Sequence, residues 1–343
     1  MTRVSENTQL LTGCQPMAPA NLLQLKITDR QQEAEDICRL ELRHPDGLDL
    51  PAFSAGAHID LHLPSGLIRP YSLCGSPTQR SHYEIAVLRE PDSRGGSRLV
   101  HEEIHVGSMV TVAGPRNHFE LAPATLQVPH SVLVAGGIGI TPLLSMADTL
   151  SRQGASFELH CAARSAARAA FTTRLANSAF ATQVHWHLGD GPDPQRLDLK
   201  TLLSRAPRDS HLYVCGPVGL IDASRQLAQQ LGWSEDQVHF ELFGAQPVVR
   251  ELETVSEFKV VLARTGQEII VTPDQTIAEA LALVGVHIPV SCGQGVCGTC
   301  LTRVVDGHPD HLDMFLTSEE QRRNDQILPC CSRSKSATLT LDL

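Results

Sequence analysis

Four cysteines near the end of the 343-residue chain constrain its fold more than any other feature. Cys292, Cys297 and Cys300 lie within Cys292-Gly293-Gln294-Gly295-Val296-Cys297-Gly298-Thr299-Cys300, and Cys330 follows after 29 further residues. Three thiolates within nine residues must curl around one end of a compact inorganic group while the fourth returns from a distance. C-x4-C-x2-C followed by a remote cysteine is a [2Fe–2S] ligand spacing, whereas a structural zinc site usually uses paired C-x2-C knuckles. Gly293, Gly295 and Gly298 suit the tight curl, because glycine accepts positive φ and lets backbone N–H groups approach sulfur. The chain has ten cysteines, five of them in its last 52 residues. A disulfide framework would need an oxidising compartment and usually a small domain. Cys331 is expected to point away from Cys330, as neighbours on a strand do.

The hydrophobic pattern changes twice along the chain. From Leu22 to about Phe119, short period-two runs alternate with turn residues: His58–Leu63, Leu67–Leu73, His82–Leu88 and Ser108–Val112. This pattern predicts an antiparallel barrel or sandwich. After Pro129, buried-strand runs at Ser131–Ala135, Phe157–Ala162, Gln183–Leu188, His211–Cys215 and Val238–Phe243 alternate with helical stretches, which predicts a parallel α/β sheet. Gly244–Ser256, with Pro247 and several charged residues, reads as a linker. Beyond it, strands at Phe258–Ala263, Glu268–Val271, Leu301–Val305 and Ala337–Leu341 surround a helix opened by the Thr276-Ile277-Ala278-Glu279 capping box and ended by Gly285. The expected domains are a tail (1–21), a barrel (22–122), an α/β domain (123–246), a linker (247–255) and a cysteine-bearing module (256–343).

Charge and hydropathy exclude other classes. With 28 Lys and Arg against 38 Asp and Glu, the net charge is −10, so the chain is not built for nucleic acid. No run of 18 apolar residues exists, and Ser131–Ala147 is broken by glycines and a proline. A cytoplasmic protein without a membrane segment is expected. His58/His62 and His185/His187 have ligand-like spacing, yet nothing near them in sequence completes a metal site, so strand-surface histidines are expected.

Three further motifs point to anionic ligands. Gly95-Gly96-Ser97 precedes a helix-like Arg98–His101, and glycines at a helix N-terminus make a nest of N–H donors. Gly136-Gly137-Ile138-Gly139-Ile140-Thr141-Pro142 follows a buried strand. It departs from G-x-G-x-x-G, but its glycines let the backbone approach a pyrophosphate. Thr141 can cap the following helix, with Pro142 at its first position. Cys215-Gly216-Pro217 ends another strand of the same sheet, so both turns face one crevice.

The C-terminal module resembles plant-type ferredoxins. With Arg69-Pro70-Tyr71-Ser72-Leu73, which matches the R-x-Y-S-[LIV] flavin motif, and Gly136–Pro142, which matches G-G-x-G-x-T-P, the chain is similar to the phthalate dioxygenase reductase family over Leu22–Leu343. The resemblance implies an antiparallel FMN-binding β-barrel, a parallel-sheet NAD domain and an α+β β-grasp ferredoxin. It implies FMN rather than FAD, held by Arg69, Pro70, Tyr71, Ser72, Val87, Arg89, Gly95, Gly96 and Ser97 and shielded by Phe243. It implies NADH at Gly136, Gly137, Gly139, Thr141, Pro142, Arg164, Ser165, Cys215, Gly216 and Pro217, and a cluster on Cys292, Cys297, Cys300 and Cys330. Arg164 and Arg168 would favour NADPH if they bound a 2′-phosphate.

The chemistry follows from electron counting. A nicotinamide delivers an electron pair as hydride, and a [2Fe–2S] cluster takes one electron, so a flavin must stand between them. Hydride transfer to a flavin needs placement and no general base; Ser72 and Cys215 are expected to position it. From Ser256 onward there are 11 acidic and 7 basic residues, a surface suited to salt-sensitive encounter with a basic partner. The resemblance implies a Rieske-type oxygenase as that partner. A cytochrome-type or other ferredoxin-accepting system, or a redox sensor, are the alternatives.

Overall fold

The computed structural model describes residues 22–91, 95–122, 130–190, 195–244 and 256–343; the expected tail (1–21) and linker (247–255) lie outside the described residues. The first unit has strands β1 (Leu22–Ala34), β2 (Ile37–Arg43), β3 (His58–His62), β4 (Ile68–Ser72), β5 (Tyr83–Leu88) and β6 (Met109–Arg116), with helix α1 (Gly96–Glu103) between β5 and β6. The sheet order β4-β3-β6-β1-β2-β5 is antiparallel throughout. Its two edges meet through a bridge between Leu73 and Ile85 and a 2.9 Å bond from Cys74 N–H to the Glu84 carbonyl, which closes a barrel. Period-two alternation sends Leu25, Ile27, Leu40, Leu42, Ile59 and Leu61 to its interior, where all are fully buried.

The second unit has β7 (Ser131–Gly136), β8 (Phe157–Ala163), β9 (Val184–Leu188), β10 (His211–Cys215) and β11 (Val238–Glu241), with helices α2 (Ile140–Arg152), α3 (Thr172–Ala176), α4 (Leu199–Arg205) and α5 (Val218–Gln230). The strands run parallel in the order β11-β10-β7-β8-β9. The central strand β7 is buried at every residue because helices cover both faces. Leu143 and Ala147 of α2 pack with Leu133 and Ala135, while Leu202, Leu203 and Ile221 pack with Val132 and Val134. Barrel residues Ile37, Ala55, Cys74, Ala86 and Phe119 belong to the same apolar cluster as α2, so the two units share one core.

The third unit has β12 (Phe258–Leu262), β13 (Glu268–Val271), β14 (Thr302–Asp306), the short pairs β15 (Pro309–Asp310) and β17 (Arg333–Ser334), β16 (Gln326–Ile327), β18 (Thr338–Leu341), and helices α6 (Ile277–Leu283) and α7 (Ser318–Arg323). Its sheet order is β13-β12-β18-β14-β16, with β12 and β18 the parallel pair, the β-grasp arrangement. The capping box forms as read: Thr276 Oγ1 accepts from Glu279 N–H at 3.1 Å and Glu279 accepts from Thr276 N–H at 2.8 Å. No helix among the described residues is long and apolar enough to cross a membrane.

Candidate functional site

The motifs converge where the carboxyl ends of the parallel strands meet the barrel and the cysteine loop. Arg69, Pro70 and Tyr71 lie half-buried on β4, and Ser72 at its end is buried. Arg69 crosses Gly96 so closely that a Cβ there would sit 2.8 Å from its Cγ. Gly95 caps α1 at φ 94, and Gly96 and Ser97 form its first turn rather than preceding the helix. The α1 N-terminus and a guanidinium therefore share one position, the donor set a phosphate needs. Burial pushes the Tyr71 phenol up, which keeps it neutral. Val87 points into the barrel core, with its carbonyl 2.9 Å from His101 Nε2. Arg89 pairs with Glu102 at 2.7 Å. Phe243, just beyond β11, is 44% exposed.

Glycine explains the nucleotide turns in two different ways. A Cβ on Gly139 would meet the Cys215 carbonyl oxygen at 2.2 Å, one on Gly136 would meet Pro217 at 2.6 Å, and one on Gly216 would meet Gly136 at 2.8 Å. Those three glycines allow the two turns to pack against each other. Gly137, at φ 56, has nothing within 4 Å of its absent Cβ and borders open space. Thr141 does not cap the helix: a 3₁₀ turn over Gly137–Gly139 precedes α2, and the Thr141 hydroxyl donates to the Ile138 carbonyl at 3.0 Å. Pro142 is accordingly the third residue of α2 rather than the first. Arg164 is exposed just beyond β8, followed by Ser165. Arg168 is committed elsewhere, pairing with Glu35 at 3.0 Å and Asp36 at 3.1 Å on the barrel.

The residue that sequence reading missed is Glu241. Parallel register places it beside Cys215 at the ends of β11 and β10. The Ser72 hydroxyl donates to its Oε2 at 3.0 Å, and Cys297 is close enough to act on its charge. Burial pushes the Glu241 carboxyl up to about 8; the Ser72 bond opposes this and Cys297 adds to it. Cys215 itself is fully buried, and its thiol is raised by that burial. Only its place at a strand end, paired with another motif residue, marks Glu241 in the sequence.

Cys292, Cys297, Cys300 and Cys330 are all buried, with side-chain contacts joining Cys292 to Cys297 and Cys300 to Cys330. Gly293, Gly295 and Gly298 all have positive φ, and Gln294 N–H donates to Cys292 Sγ at 3.4 Å. A Cβ on Gly298 would lie 2.3 Å from the Phe315 ring. Converging thiols within a curl of N–H groups fit a [2Fe–2S] cluster. Cys330 and Cys331 occupy a turn, not a strand, so they do not diverge as expected. Cys331 Sγ sits 2.4 Å from where a Gly295 Cβ would be, beneath the loop.

The cysteine loop docks on the other two units. Cys292, Val296 and Cys297 share an apolar cluster with Leu242 and the nucleotide sheet, and Phe315 meets His118 edge-on at 5.3 Å. Asp60, buried on β3, accepts a short hydrogen bond from Ser291 and pairs with Arg116. Since Ser291 precedes Cys292, Asp60 tethers the loop to the barrel. Asp60→Ala is expected to weaken docking by about 1.5–3 kcal/mol, the scale of a hydrogen bond to a charged group. Stopped-flow mixing should then show flavin reduction by NADH unchanged and cluster reduction slowed; equal rates for both would remove Asp60 from that role.

Residues 24–121 match the oxidoreductase FAD-binding domain and residues 260–335 the 2Fe-2S iron-sulfur cluster binding domain. A vanillate O-demethylase oxidoreductase from Pseudomonas sp. (strain HR199 / DSM 7063) is 48% identical over 322 residues, covering 94% of this chain and all of that one. A solved structure of phthalate dioxygenase reductase is 37% identical with a TM-score of 0.71, covering 94% of this chain and 98% of that one. The chain belongs to the phthalate dioxygenase reductase family. An intact type IV self-sufficient cytochrome P450 monooxygenase is also similar, at 36% identity and TM-score 0.83; the chain spans 43% of its length. As a phthalate dioxygenase reductase-like protein it is a flavin- and [2Fe–2S]-binding oxidoreductase. Its three units follow the fold of that reductase.

Proposed function

We propose that the chain is an NADH-dependent reductase in which electrons pass from NADH to FMN, then to the [2Fe–2S] cluster, and then to a partner Rieske-type oxygenase. One observation carries this reading: Glu241 takes a hydrogen bond from Ser72 of the flavin motif, and Leu242 beside it packs in one cluster with Cys292 and Cys297 of the cluster loop. When bound, the flavin takes up an electron pair as hydride and releases it singly, while the cluster holds one electron. The residues supply placement. Arg69 and the α1 N-terminus hold a phosphate, and a terminal phosphate dianion favours FMN. Ser72, Cys215 and Glu241 come together where the barrel meets the ends of β10 and β11, and Gly137 leaves room for a pyrophosphate. Because Arg168 is paired with Glu35 and Asp36, Arg164 alone of the two arginines is left for an adenosine, which supports NADH over NADPH.

Boiled holoprotein should release FMN and contain two iron atoms per chain, and it should reduce cytochrome c far faster with NADH than with NADPH. A released FAD or an NADPH preference would overturn those assignments. Arg69→Ala should lose flavin on dialysis; flavin retained at one per chain would remove Arg69 from the phosphate site. Purified oxygenase components supply the last test, since the expected acceptor turns over with NADH only when the reductase is present.

A further inference from the structure

The face of the nucleotide sheet away from the barrel carries a cluster that the electron path does not use. Glu158 and His160 on β8 face the same way, and parallel register sets His185 beside His160 and His187 beside Ala162. The sequence reading left His185 and His187 without a third ligand; folding supplies His160 and Glu158. One ligand atom each from Glu158, His160 and His185 lie within 4.8 Å of one another. His130 Nε2 stands 3.5 Å from Glu158 Oε1, with its Nδ1 2.8 Å from Ser156 Oγ.

The donor inventory around His160 leaves one ring nitrogen facing a carboxylate. His187 Nδ1 lies 3.1 Å from the Gln195 carbonyl, an acceptor only, so that nitrogen carries the proton. Neutral His187 therefore presents a lone pair at Nε2. His160 Nδ1, 2.9 Å away, must donate to it, which leaves His160 Nε2 with a lone pair of its own. That lone pair is buried, on a residue 4% exposed, and has no hydrogen-bond partner. Glu158 Oε2 is 3.0 Å from it. Arg205 already supplies a cation to Glu158 Oε2 from the rim, and a metal ion between Glu158 and neutral His160 would serve both acceptors at once. Two ligand atoms each 2.0–2.2 Å from one zinc ion stand about 2.8–3.6 Å apart at angles of 90–109°, off each other's lone-pair axis.

We propose that Glu158, His160 and His185 form a site for a divalent transition-metal ion such as zinc. His187 and the Gln195 carbonyl then fix the His160 tautomer from behind, the usual support of a metal-bound imidazole. Exposed His185 gives the ion its entry, and the bound ion clamps edge strand β9 to β8. Arg205 Nη2, 2.7 Å from Glu158 Oε2 and 56% exposed on its side chain, is the competing cation at the rim.

The test uses holoprotein with flavin and cluster intact, dialysed against micromolar zinc, with bound metal measured by elemental analysis. Wild type should hold one zinc per chain beyond its iron and melt at a higher temperature than without zinc. His185→Gln, an exposed change outside the electron path, should keep full NADH–cytochrome c activity while losing that zinc and the melting shift. A wild type that takes up no zinc would mean that a proton alone satisfies His160, and equal uptake by His185→Gln would place the metal elsewhere. Either result overturns the site.

Discussion

Cys297→Ser is expected to remove the cluster absorbance and NADH-dependent cytochrome c reduction while leaving bleaching of the flavin by NADH. Cys297 is a buried thiol in the curl that also contains Cys292 and Cys300. The flavin motif sits on a barrel whose apolar cluster, Leu25 to Val112, holds no cysteine-loop residue among the described residues, and the α2 face of the nucleotide sheet shares its cluster with the barrel rather than with the loop. Loss of the cluster therefore leaves hydride delivery intact. Anaerobic mixing with NADH, followed by visible absorbance, separates the two signals. If bleaching is lost together with the cluster, the units do not act as separable modules.

Gly137→Asn is expected to weaken NADH binding strongly with the fold preserved. Position 137 has φ 56 and open space where a side chain would project. Asparagine tolerates that left-handed backbone, whereas a β-branched valine would also strain the turn. The added side chain then occupies the room left for a pyrophosphate. Losing about 1.5–3 kcal/mol of charged hydrogen bonding raises the NADH dissociation constant roughly 10–150-fold. Gly139→Ala is the contrast: its Cβ would lie 2.2 Å from the Cys215 carbonyl oxygen, so the variant should lose stability instead. Unchanged NADH affinity in Gly137→Asn would reject the pyrophosphate assignment.

What is local in sequence was legible. The cysteine spacing, the Arg69–Leu73 motif and the glycine turns are each coded within a few residues, and strands His211–Cys215 and Glu268–Val271 fall at the bounds read from their runs. The β1–β2 hairpin was not singled out, because its turn places Asp36 at φ 61 with no glycine to announce it. Thr141 was read as a cap since nothing in sequence distinguishes a strand-to-helix turn from one with an intervening 3₁₀ turn. Cys331 was misplaced by assuming a strand where the chain turns. Glu241, the Asp60–Ser291 tether and the Glu158–His160–His185 group are products of register and docking between distant segments, with 231 positions separating Asp60 from Ser291. Such pairs leave no periodic signal in one sequence.

The central claim is that the flavin is an obligatory station between nicotinamide and iron. Its most direct measurement is made on protein stripped of flavin with the cluster retained, mixed anaerobically with NADH and followed by the electron paramagnetic resonance of reduced [2Fe–2S]. The account predicts no signal, and full development of the signal once FMN is restored. A cluster reduced by NADH in the flavin-free protein would contradict it.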